Sequence, residues 1–174
     1  MSKTSALSRI RNLSKGELIK LVAELVNLRG ENRAYVEAKF AKPSELPTAI
    51  EHYKKIIENE FFPKRGDPKM RLTVAKKAIT DFKKATNSLE GVLDLMTFYV
   101  ETGTKFTNTY GDIDEQFYTS MESTFWEVVE TLNRTNDTEL TWKFRPRLKA
   151  IVDDTKGIGW GYYDSLSDFY GELR

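Results

Sequence analysis

The sequence predicts an all-α protein, a helical bundle or a short stack of helical hairpins (a HEAT-like or tetratricopeptide-like array) with about seven helices. Three observations predict it. Apolar residues return every third or fourth position along most of the 174 residues, the spacing that gathers them on one helical face. No alternating stretch of strand length competes. Glycine, proline and Asn-Asp breaks divide the chain into segments of helical length. One domain fits the length, with residues 1–45 as a helical extension and 47–174 as the main body.

Taken in order, Ser14 and Glu17 form a capping-box pattern ahead of Leu18, Leu21, Val22, Leu25 and Leu28, a face expected to point inward until Gly30 ends the segment. A short helix is expected over Glu31 to Phe40, then a linker at Pro43 and Pro47. Ile50, Tyr53, Ile56, Ile57 and Phe61 form the next stripe, stopped by Pro63. Asp67-Pro68 reads as a helix start, with Leu72, Ala75, Ile79 and Phe82 following. Ser88 is expected to cap a segment that turns Leu89, Val92, Leu93, Met96, Tyr99 and Val100 inward, and Gly103 to bend or end it. Tyr118, Met121, Phe125, Val128, Val129 and Leu132 give the cleanest helical period, closed by a turn at Asn136-Asp137. Phe144, Leu148, Ile151 and Val152 suit another helix, although Pro146 should kink it or mark a new start. "GIGWG" at 157–161 must be a tight connection, and Tyr162, Leu166, Phe169, Tyr170 and Leu173 line the last helix.

Composition excludes several chemistries. Cysteine is absent, which removes disulfides, thiolate catalysis and cysteine-held metal clusters. The only histidine, His52, lies beside an apolar stripe and reads as a boundary side chain, leaving little for a histidine triad or a multi-histidine site. No phosphate loop or dinucleotide-binding spacing occurs. No run is apolar enough for a signal-peptide core or a membrane span, so a cytoplasmic protein away from membranes is expected. Residues 1–86 carry 19 Lys and Arg against 10 Asp and Glu, while 87–174 carry 8 against 16, so net charges of +9 and −8 divide the chain. Two halves that face and neutralise each other would explain this split.

Three groups of residues invite function. In "FTNTYGDIDE", Asp112 and Glu115 have capping-box spacing, Asp112 being the expected helix cap. Joined by Asp114, Asp153, Asp154 and Asp164, they would supply oxygen ligands to a divalent ion. Lys64, Arg65, Lys69, Arg71, Lys76 and Lys83 could present a cationic stripe to a polyanion, or Arg65 and Arg71 could pair with the acids at 112–115. The segments 106–115 and 157–164 hold more amides, acids and aromatics than a bundle requires. If they converge, Asn108, Tyr110, Asp112, Asp114, Glu115, Trp160 and Asp164 line one groove.

"FFPKRG", "FTNTYGDIDE", "SMES" and "GIGWGYYDSLSDFY" resemble a bacterial family of small proteins known as a domain of unknown function. The likeness runs from about Ile50 to Tyr170, while Pro146 and "RTNDTELTW" depart from the pattern. It implies a compact, cytoplasmic helical protein and carries over no catalytic residue. The sequence thus points to a non-enzymatic helical module that binds a protein, a peptide or another ligand between the two loops, with no cofactor. The alternatives are nucleic-acid or other polyanion binding through 69–84, and a divalent-metal hydrolase using the carboxylates at 112–115.

Overall fold

The structure is a computed structural model that describes residues 3–174, and among them no strand occurs. Nine α-helices follow one another in this region: α1 (Lys3–Ile10), α2 (Lys15–Leu28), α3 (Gly30–Phe40), α4 (Leu46–Phe61), α5 (Leu72–Ala85), α6 (Leu89–Tyr110), α7 (Glu115–Thr135), α8 (Thr138–Asp154) and α9 (Tyr162–Gly171). A single 3-10 turn at Pro43–Glu45 leads into α4.

The central element is α6, which packs against α4, α5, α7 and α8. Thirteen of its 22 residues are buried, including Gly91, Gly103, Thr97, Thr102, Thr104 and Thr107. Small and hydroxylated positions let neighbouring helices approach on several sides, so α6 needs no wet face of ordinary width. A Cβ built on Gly103 would lie 2.3 Å from Met121 Sδ. The glycine expected to bend or end this helix therefore does not end it: it leaves room for the Met121 side chain of α7.

Around α6 the core holds Tyr53, Ile57 and Phe61 of α4, Ala75 and Phe82 of α5, Phe117, Met121, Phe125, Val128 and Leu132 of α7, Phe144 and Leu148 of α8, and Tyr162 and Leu166 of α9. Edge-on aromatic pairs, Tyr53 with Phe82 at 5.3 Å and Phe61 with Tyr99 at 5.9 Å, join α4 to α5 and α6. An ionic network ties α4, α6 and α8 at the rim. Arg147 forks onto Glu101 at 2.7 and 2.8 Å and also reaches Asp94, which accepts from Lys54 at 3.0 Å.

Local departures from the sequence reading have local causes. Gly30 opens α3, because the break falls one residue earlier, at Arg29, whose backbone is extended. Asp67-Pro68 starts no helix, and α5 begins at Leu72 instead. Buried Glu60 overrides the signal: its carbonyl accepts from the backbone of Lys69 at 3.1 Å and Met70 at 2.9 Å, and its carboxylate holds Arg71 at 2.7 and 2.9 Å. Met70 is thereby held at φ +48°, a left-handed conformation unusual for a side-chain-bearing residue. Pro146 lies inside an unbroken α8. The carbonyl that its missing N–H leaves free belongs to Trp142, one turn back, and both residues are exposed, so the unpaired carbonyl sits on a solvent-facing part of the helix.

The largest departure is at the N-terminus. The Ser14–Glu17 capping box forms as expected, Glu17 N–H donating to Ser14 Oγ at 3.3 Å and Ser14 N–H to Glu17 at 2.8 Å. Yet α2 buries none of its residues. It packs against α3 and makes no substantial contact with the other helices. Leu18, Ile19, Val22, Leu25 and Leu28 are exposed, Leu28 by 70%.

Candidate interaction surfaces

The loops at 106–115 and 157–164 do meet, but only part of the expected set takes part. Residues 106–110 are the last turn of α6 rather than a loop, and Gly111, at φ +90°, reverses the chain. The cap of α7 is Asp114, which accepts from Phe117 N–H at 2.8 Å, so Asp112 is not the cap. Asp112 is left to accept from the hydroxyl of Tyr118 at 2.8 Å and from the indole of Trp160 at 3.2 Å. Asn108 donates to the carbonyl of Asp154 at 2.7 Å, and Trp160 stacks on Tyr118 with ring centres 6.2 Å apart. Trp160 and Gly161 both have positive φ, which turns the indole back over α7.

The remaining expected members lie apart. Tyr110 turns to Phe106 and Phe62, at 4.7 and 6.1 Å. Glu115 and Asp164 are exposed in the first turns of α7 and α9, where carboxylates suit the positive helix end. Beneath the seam, Thr107 Oγ1 is 2.8 Å from Tyr118 Oη, and buried Thr104 is 3.0 Å from Tyr162 Oη. Burial pushes both phenols above their ordinary range, so they act as neutral hydrogen-bonding groups. The polar groups here already have partners, Asn108 on the Asp154 carbonyl and Asp112 on Tyr118 and Trp160; the junction is a fastened seam. Among the described residues, no three His, Asp or Glu side chains gather closely enough to hold an ion.

The cationic residues divide. Arg71 is bound to Glu60, not to the acids at 112–115, and Lys77 pairs with Asp81. Lys64, Arg65 and Lys69 are exposed on the connection before α5, and Lys76 and Lys83 on its wet face. Among the described residues one ion pair, Lys54 with Asp94, links residues 1–86 to 87–174. The halves therefore do not neutralise each other by direct pairing.

Sequence periodicity identified the face of α2 but assigned it to the core. In the structure α2 forms an arm that rests on α3, and the elbow between them is held by Asn32 donating to Leu25 O at 2.7 Å and Arg33 to Asn27 at 3.2 Å. Beside it, α3 and α4 enclose a groove of about 460 Å³ lined by Val36, Phe40, Ala49 and the His52–Glu37 pair, 2.7 Å apart. Phe40 is 79% exposed at its edge. No described helix is long and apolar enough to cross a membrane. No curated protein and no solved structure matches the chain. A family model does match, over residues 1–171, so the arm lies inside the matched region along with the bundle. The chain belongs to that family, a family of unknown function designated DUF6155.

Proposed function

We propose that the protein is a non-enzymatic helical docking module whose working element is the arm formed by α2. One observation carries the reading: the 14 residues of α2 include a leucine-rich face, and none of them is buried. Folded monomers rarely leave contiguous apolar patches of more than a few hundred Å² uncovered unless something docks there. The seam at Asp112 and Trp160 supports the same division of labour, since its groups already have partners while the arm's apolar face has none within the bundle.

The test is a photo-cross-linking residue placed at Ile19 in the full chain inside the expressing cells, with the same residue at exposed Ala150 as control. Specific adducts at position 19 and none at 150 are expected. Equal, background-level labelling at both positions would sink the reading. Polyanion binding through α5 is a second reading, favoured by exposed Lys69, Lys76 and Lys83, which join no ion pair among the described residues. It predicts a gel shift that weakens steeply between 50 and 200 mM salt, roughly one order of magnitude or more for several phosphate contacts.

A further inference from the structure

We propose that the occupant of the arm is a second copy of this chain, which offers the acidic edge formed by α7 and α9. The inference rests on the arm being the docking element and adds the identity of what it meets.

Charge carries the first part. Residues 9–29 carry five Lys and Arg (Arg9, Arg11, Lys15, Lys20 and Arg29) against Glu17 and Glu24, a net charge of +3, and none of the five cations forms an ion pair among the described residues. Glu127 and Glu130 on α7, and Asp164 and Asp168 on α9, are exposed and equally unpaired among the described residues. An arm set against another arm would bring like charges together; an arm set against the α7–α9 edge brings opposite ones. The halves at +9 and −8 make each molecule complementary to an inverted copy of itself.

Apolar surface carries the second part. Trp126 and Phe169 meet across α7 and α9 as a tilted pair with ring centres 5.2 Å apart, and Trp126 stays 38% exposed. Glu130 lies one turn beyond Trp126, and Asp168 adjoins Phe169. A partly exposed aromatic pair flanked by carboxylates is the counterpart of a leucine face on a net-cationic segment: aromatics anchor the centre and charges form the rim. Contacts run from α2 to α3, on through α4, α5 and α6, and then to α7, α8 and α9, so the arm and the α7–α9 edge lie at the two ends of that series. Two copies placed antiparallel therefore join both pairs of ends at once, and a two-fold axis closes the assembly.

The experiment is sedimentation velocity on the full chain from about 1 to 100 μM, at 50 and 500 mM salt. Two variants accompany it, Lys15→Glu/Lys20→Glu and Glu130→Lys/Asp168→Lys. All four positions are exposed, and circular dichroism checks that the helices persist. The wild type is expected to dimerise at low salt, with a dissociation constant roughly tenfold weaker or more at high salt. Each variant alone should be monomeric. Mixed in equal amounts they should form a dimer again, because each arm then meets an edge of opposite sign. A wild type that stays monomeric, a dimer that neither variant weakens, or a mixture that stays monomeric overturns the proposal. Cross-links from Ile19 to a different protein, with a monomeric wild type, overturn this inference alone. Background labelling at Ile19 removes the arm reading with it.

Discussion

Helices α2 and α7 carry the same kind of message in sequence. Each is opened by a side-chain cap, Ser14 in one and Asp114 in the other, and each returns apolar residues every three or four positions. In the structure they part company. The stripe of α7 packs against α6 and α9, with Met121, Phe125, Val128 and Val129 wholly enclosed, whereas α2 rests on α3 and encloses nothing. Periodicity states that a face needs cover. It does not state who provides the cover, because that depends on where neighbouring segments end up.

The sharpest way to break this contrast is truncation at matched positions. Phe125→Ala, wholly inside, should cost about 3–5 kcal/mol of unfolding free energy in a urea titration. A loss below about 1 kcal/mol would mean that α7 is no better covered than α2. Gly103→Ala tests the closeness of the α6–α7 contact. The added methyl must displace the Met121 thioether, at an expected cost of about 1–3 kcal/mol. An unchanged transition would show that the thioether swings aside freely.

Smaller still is the effect at Glu122, the partly buried acid on α7. Burial raises its pKa, against the opposing pull of the Ser165 hydroxyl. A raised carboxyl binds its proton more tightly folded than unfolded, so stability rises as pH falls through the folded value. It follows that Glu122→Gln should melt above the wild type at pH 7 and lose that advantage as pH falls through the ordinary glutamate range, where the wild-type carboxyl becomes protonated in both states. A constant difference across that range would contradict the shift. Last comes Leu25→Ala on the arm, expected to stay within about 0.5 kcal/mol of wild type in the monomer. A loss like that of Phe125→Ala would show that the arm is covered after all.

Much of the helix pattern was readable from spacing alone, including the caps at Ser14 and Ser88 and the cores of α4 to α7. What was not readable depends on distant partners. Asp112 and Asp114 both precede α7, and either suits a cap by local rules. Trp160, 48 residues downstream, engages Asp112 and Asp114 takes the cap. Similarly, Asp67-Pro68 has the chemistry of a helix start, but Glu60 reaches back eleven residues to hold Arg71 and draws the chain past it. At Pro146 the rule of helix breaking assumed a dry carbonyl, and the surface supplies a solvent-facing one. For the candidate site, composition drew attention to Asp112 and Trp160, which bond to each other, and to Asn108, which bonds instead to the Asp154 carbonyl. It could not show that these groups would already have partners within the fold.

The stacking of Trp160 on Tyr118 gives the molecule a built-in optical gauge. Its ring is 56% open to water and tethered by a single indole bond to Asp112, so separating α9 from α7 would shift its emission before the interior melts. With Trp126 and Trp142 replaced by phenylalanine, one fluorophore would report whether that end of the chain loosens ahead of the rest or melts in step with it.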